Sequence, residues 1–192
     1  MSIETSVYLI DLNELQRWRE SNRIDLCHEI ESVFERSHEF DSDDPAYRDS
    51  DEPSVRQALR DFFSGRAFHS KYGHVYAQAL RLLCRHYGTE IETYIHPDGD
   101  AAFRAAYVLN ARFRIPDKFC NWAKEPLDFP KPLDLSIEHL RLDLAQQLCA
   151  LLTPLNLERV NEGAAIEIKR LYGWLTKACE HHKDIVTFTY EV

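Results

Sequence analysis

Three segments with strand character stand at the start, near the middle and at the end of this chain, and the long stretches between them carry helical periodicity. The first runs from Ile3 and closes on Val7, Tyr8, Leu9 and Ile10. The second is "TEIETYIHP", where Ile91, Thr93 and Ile95 alternate with Glu92, Tyr94 and His96 until Pro97 ends the run. The last is "IVTFTYEV" at residues 185–192. Strands so far apart can pair only if the chain returns on itself, so the helices between them must lie against the sheet they form. The expected fold is α+β: a small sheet with strands from the start, middle and end of the chain, covered by about seven helices, in a single domain over residues 1–192.

The helices announce themselves by caps and stripes. Asp11 followed by Glu14 makes a capping-box-like start for a helix through Leu12, Leu15 and Trp18. Ile24, Cys27, Ile30 and Phe34 predict a second helix over 23–40, with Glu29, Glu31, Glu35 and Arg36 on its outer face. Pro53 opens the first turn of a third, which stops at Gly65. Val75, Ala79 and Leu82 form the stripe of a fourth, ending near Gly88. A short helix through Phe103 and Tyr107 is capped by Asp98 or Asp100. Ser136 is expected to cap a helix that aligns Ile137, Leu140, Leu144, Leu148 and Leu151. Asn161 starts the last, through Ala165, Ile168, Leu175 and Cys179, and His181 and His182 complement the dipole at its end. Two segments break the pattern. Residues 41–52 are an acidic loop. Residues 111–135 carry Pro116, Pro126, Pro130 and Pro132 beside Phe113, Phe119, Trp122 and Phe129, aromatics that would need burial.

Composition removes several function classes. A formal net charge of -9, from 23 basic and 32 acidic residues, opposes binding to a phosphate backbone, so no nucleic-acid partner is expected. Cys27, Cys84, Cys120, Cys149 and Cys179 include no CxxC pair, which argues against a disulfide scaffold and a zinc ribbon. They read as small buried hydrophobes in a reducing compartment. The N-terminus has no basic and apolar leader pattern, and no apolar run approaches the ~18 residues of a membrane span. The expectation is a soluble cytoplasmic protein without a membrane partner. Glycine-rich phosphate cradles, HExxH and kinase signatures are absent from the sequence, and neither a cofactor nor a metal is expected.

The densest chemistry lies in "FHSKYGHVYAQALRLLCRHYG", residues 68–88. His69 and His74 are five apart and His86 lies farther along, whereas paired helical ligands need the i, i+4 spacing. Asp61, His69, Tyr72 and His74, with Tyr76 beside them, are instead the candidates for a general acid/base pocket between two helices. The same region is rich in cations. Arg56, Arg60, Arg66, Lys71, Arg81 and Arg85 are faced in sequence by Asp61 alone, and they are the candidates for a partner-binding face. The acidic loop places Asp41, Asp43 and Glu52 at calcium-loop positions, but Pro45 and Ala46 occupy places where a ligand and a sharply turning glycine belong. It reads as a solvated loop. Arg112, Arg114, Lys118 and Lys124 interleave with Phe113, Phe119 and Trp122, a pattern that can bind anions by stacking and charge. An ordered, partly buried loop fits the overall charge better.

The segments "SVYLIDLNEL", "KYGHVYAQALRLLCRHYG", "PLDFP" and "LYGWLTKACEHHKDIVTFTY" together resemble small bacterial cytoplasmic proteins of unknown function related to the YfbM-like family. The resemblance implies an α+β domain of bacterial type and carries over no catalytic residue. The leading functional expectation is a non-enzymatic protein-interaction or regulatory domain. The alternative is a small hydrolase-type enzyme working from the pocket at residues 61–76. A homodimer would follow if the strand Ile185–Tyr190 lay on a sheet edge.

Overall fold

The structure, a computed structural model, describes residues 2–34, 51–96, 101–116, 119, 122–124, 126–132 and 135–191. The acidic loop therefore lies outside the described residues except for Asp51 and Glu52, as do Asp98, Asp100, Lys118 and Cys120.

Five strands form one antiparallel sheet in the order β2-β1-β5-β4-β3. They are β1 (Ile3–Ile10), β2 (Thr89–His96), β3 (Ala123–Lys124), β4 (Leu135–Leu140) and β5 (Asp184–Glu191). The two chain ends lie side by side, with Ile3 opposite Glu191 and Ile10 opposite Asp184. Seven α-helices are present among the described residues: α1 (Leu12–Glu20), α2 (Ile24–Phe34), α3 (Val55–Phe63), α4 (Gly73–Tyr87), α5 (Ala101–Phe113), α6 (Leu142–Leu152) and α7 (Glu162–His181). The fold is α+β, as the sequence implies.

Helices cover both faces of the sheet. Tyr8, Ile10, Ile137, Val186 and Phe188 pack with residues of α1–α4 in one core. Val7, Leu9, Leu140 and Ile185 pack with residues of α5–α7 in a second. Alternate side chains of a strand point to opposite faces. A central strand buried on both sides therefore needs an unbroken apolar run, which is what "VYLI" supplies at 7–10. All four of those side chains are at most 2% exposed. Each contributes roughly 1.5–3 kcal/mol by leaving water, and the Tyr8 ring meets Phe188 edge-on at 5.7 Å.

Local signals place most helix ends. Asp11 accepts from the Glu14 N–H at 2.9 Å and Asn161 from the Ala164 N–H at 2.8 Å. Ser54, one residue after Pro53, caps α3 by accepting from the Gln57 N–H at 3.0 Å. Gly65 then leaves that helix at φ +67, a left-handed value that glycine adopts freely. The Pro/aromatic segment is packed as expected where it is described: Phe119 and Phe129 are buried, and Phe113 and Trp122 are partly buried against the second core.

The structure corrects four expectations. The helix expected from Ser136 is instead strand β4 followed by α6. Ile137 pairs with Phe188 of β5, and Ile137 and Leu140 enter opposite cores. An i, i+3 apolar pair fits a helix stripe and a two-sided strand equally well, and pairing with β5 selects the strand. The helix through Phe103 and Tyr107 is longer than expected and runs on to Phe113. Glu31, placed on the outer face of α2 by periodicity, is 9% exposed and bonded to Arg60. Finally, β5 lies between β1 and β4, so it offers no edge for twofold pairing. The sheet edges are β2 and β3.

Candidate functional site

Asp61, on α3, is buried at 8% exposure. Its Oδ2 accepts from the Tyr76 hydroxyl at 3.1 Å and its Oδ1 from Gln57 Nε2 at 2.8 Å, with Arg66 Nη1 at 3.8 Å. Tyr76 in turn accepts from the backbone N–H of His69 at 3.3 Å. Burial raises the Tyr76 phenol, which keeps it a proton donor to the carboxylate. This pair anchors the stack of Phe68, Phe129 and Phe62, whose neighbouring ring centroids are 4.6 and 5.7 Å apart.

The expected imidazoles go elsewhere. The His69 ring is exposed and tilts against Tyr72 at 4.9 Å. His74 is also exposed, and its Nε2 lies 2.7 Å from Glu52 Oε1. Lys71 Nζ donates to the Tyr72 hydroxyl at 3.2 Å. The structure thus brings Asp61 to Tyr76 and the His69 backbone, while His74 and Tyr72 are engaged by other partners.

The basic candidates divide in the same way. Arg60 Nη2 lies 3.0 Å from Glu31 Oε1, Arg66 holds Asp61, and the Arg85 guanidinium sits 5.3 Å from the Phe34 ring centroid. Arg56 is partly buried on α3 and is also engaged. Of the cations that sequence set against Asp61 alone, Arg60 meets Glu31 of another helix, Arg66 meets Asp61, and Lys71 and Arg85 lie against aromatic rings.

Arg81 leads to a wider polar network, which sequence reasoning missed. From α4 it leans onto the sheet, with Nη2 3.5 Å from Ser6 Oγ and its guanidinium 5.4 Å from the Tyr190 ring. Its charge also acts on the Tyr8 hydroxyl, which donates to Glu90 Oε2 at 3.0 Å. Thr93 Oγ1 donates to Ser6 Oγ at 3.0 Å and approaches Glu90 Oε1 at 2.8 Å, and the Tyr190 hydroxyl donates to Glu4. Burial raises the phenols of Tyr8 and Tyr190. Arg81 Nε is buried without a hydrogen-bond partner. Chemically this is a fixed cation held among hydroxyls and two carboxylates, suited to orienting groups and to holding an oxygen ligand rather than to nucleophilic attack.

A second array occupies the opposite face of β2. Glu92 accepts from Arg170 Nε at 3.0 Å and from Trp174 Nε1 at 2.6 Å. Arg170 Nη1 also donates to Glu167 at 2.6 Å, and its guanidinium lies 4.2 Å from the Tyr94 ring centroid. Burial pushes the Tyr94 phenol up to about 12. Simple alternation puts Glu90 and Glu92 on one face. A register shift where Val7 and Tyr8 meet β2 turns them to opposite faces. Among the described residues, no group of three His, Cys, Asp or Glu side chains is placed to hold a metal ion, and no helix is long and apolar enough to cross a membrane.

The molecule is an antiparallel sheet between two helical layers, with polar arrays on both faces of its β2 edge. The chain belongs to the family described as "Domain of unknown function (DUF7691)", whose model matches residues 1–190. Neither a curated protein nor a solved structure matches it.

Proposed function

We propose that this chain is a non-catalytic partner-binding domain of bacterial cytoplasmic type, which takes an extended segment of another protein along the free edge of β2. One observation carries the reading: β2 is an eight-residue strand at the end of the sheet order. No strand pairs with its outer side among the described residues. Such an edge is a ready template for β-addition, because backbone donors and acceptors supply affinity and alternate side chains supply selectivity. Ile95 is 60% exposed on this strand, offering an apolar contact. Glu90 is exposed toward the other end of the strand, and the chain carries a net charge of -9, so the fitting segment is basic with an apolar residue.

The Arg56–Arg85 cations support the alternative interface less well, because their heads are drawn to Glu31, Asp61 and aromatic rings. The hydrolase reading lacks an imidazole beside Asp61. Kinship with the YfbM-like proteins belongs to the same proposal, and a profile of this family that recovered them would support it.

The test is site-specific photocrosslinking in cells. A benzophenone amino acid replaces Ile95 in one sample and Leu151, an exposed position on α6, in the other. The expected outcome is an adduct from position 95 that maps to an extended basic segment and fades as salt rises. Equal adducts from both positions, or none from position 95, would refute the reading.

A further inference from the structure

Arg81 is a cation without a counter-ion. Arg23, Arg60, Arg66, Arg141 and Arg170 each stand within 3.8 Å of a carboxylate. Arg81 meets none at that range among the described residues. Its Nη2 reaches only Ser6 Oγ, at 3.5 Å, which is long for a hydrogen bond. Its Nε is buried and has no partner. Burial raises the phenols of Tyr8 and Tyr190 beside it, so both stay neutral and neither supplies the missing negative charge. The Glu90 and Glu4 carboxylates accept from those phenols. A guanidinium drawn out of bulk water on these terms is costly, and a bound anion would offset that cost.

We propose that Arg81 binds the carboxylate of a small monoanionic acid side-on, through Nε and Nη2, between α4 and the sheet. These two donors lie along one edge of the guanidinium, and their parallel N–H bonds match the two oxygens of a carboxylate. They are also the donors of Arg81 that the protein leaves unpaired or weakly paired. The neighbouring charges choose the class of anion. Glu4 and Glu90 hold two negative charges in the same network, so a second charge on the ligand is repelled and a carboxylate is preferred to a dianion. Burial of Nε limits the size of the ligand. The Tyr190 ring, 5.4 Å from the guanidinium and partly exposed near the end of β5, turns aside to admit it. The site lies on the face of the sheet away from α7 and uses no backbone group of the β2 edge, so it stands or falls apart from partner binding there.

The experiment is an NMR titration of the isotope-labelled full chain with sodium acetate, with sodium chloride and sodium sulfate at matched ionic strength as comparisons. The readout is the Arg81 Nε–Hε resonance, assigned by its loss in Arg81→Lys. Burial slows exchange of that proton with water and keeps the signal visible. Acetate should move it downfield along a curve that saturates in the millimolar range, as a charge-assisted hydrogen bond forms. Chloride should leave it in place, and dianionic sulfate should bind at least about tenfold more weakly than acetate. Arg81→Lys keeps the charge without the fork, so the acetate-induced shifts of the Ser6 and Thr93 amides should need about tenfold more acetate in that variant. The wild-type titration decides by itself if the variant does not fold. A resonance that acetate does not move, or that chloride moves equally, would overturn the site. Sulfate binding as tight as acetate would overturn the carboxylate class, and undiminished acetate binding by a folded Arg81→Lys would overturn the side-on fork.

Discussion

Asp184 ties one helix of each layer to the sheet, and replacing it with alanine is a sharp test of this fold. It opens β5 at 5% exposure, opposite the last residue of β1. Its Oδ2 accepts from the Leu12 N–H at 3.0 Å and its Oδ1 from the Leu142 N–H at 2.8 Å. These are the first residues of α1 and α6, so one carboxylate caps two helices that leave the strands on either side of β5. Arg141 Nη1 stands 3.5 Å from the same carboxylate, and its Nη2 donates to Asn13. A hydrogen bond to a charged group is worth about 1.5–3 kcal/mol, and a negative charge at a helix N-terminus adds roughly 0.3–1 kcal/mol. Water can recover part of this at Leu142, which is less buried than Leu12. The expected loss in Asp184→Ala is about 3–5 kcal/mol, a large fraction of the roughly 5–15 kcal/mol typical of a domain. Asp184→Asn should recover less than half, because its amide NH₂ would face one of the two N–H groups. Equilibrium urea unfolding followed by far-UV circular dichroism measures both, with an unchanged slope showing that the unfolded state is the same. A loss below about 1 kcal/mol in the alanine variant would refute the double cap.

Two glycines should respond in opposite directions. A Cβ on Gly73 would meet the Lys131 carbonyl carbon at 2.6 Å and the Pro132 nitrogen at 2.8 Å, so Gly73→Ala should cost about 2–4 kcal/mol in the same unfolding assay. Gly173 lies inside α7 with nothing within 4 Å of an added Cβ, so Gly173→Ala should stabilise by about 0.5–1 kcal/mol, and a loss would mean that the site is packed. His139 should give a pH signature. Burial and then Arg141 lower its pKa below the usual histidine value of about 6.5. The unfolded chain then binds the proton first, so this contribution is complete above about pH 6.5 and is lost progressively as pH falls toward the folded value. Urea midpoints at pH 7.5 and 5.5 should lie closer together in His139→Asn than in the wild type, and an unchanged gap would remove His139 from the acid response.

What could be read from sequence was what local chemistry decides. The apolar runs of β1 and β5, the caps at Asp11 and Asn161 and the exit at Gly65 all act within a few residues, and the structure places them where spacing predicts. The start of α6 was not legible. Its N-cap, Arg141, makes no side-chain cap, and the capping carboxylate arrives from Asp184 on another strand. With that cap invisible, Ser136 was the nearest residue of the right type. Glu31 was misplaced for a related reason. Periodicity assigns a face but not the partner that faces it, and Arg60 makes the inward position tenable.

The same distinction explains why the histidine-rich stretch did not become the site its density suggested. His69, His74 and His86 share a short segment, yet they turn to Tyr72, Glu52 and Glu29 respectively. The coupled networks that do form join residues remote in sequence: Tyr8 to Arg81 and Glu90, and Glu92 to Arg170 and Trp174. Each exists only after β1 has paired with β2 and the helices have docked on the sheet. The bulge in β2 then divides two acidic residues that alternation would have kept together. On one face of β2, Glu92 ties the strand to α7, and on the other Glu90 bonds Tyr8 of β1, while the strand's outer backbone edge is unpaired among the described residues. Rigid anchorage of an edge lowers the ordering cost that an incoming strand must overcome, so the proposed strand addition draws on the two polar arrays even though their side chains are already bonded to one another.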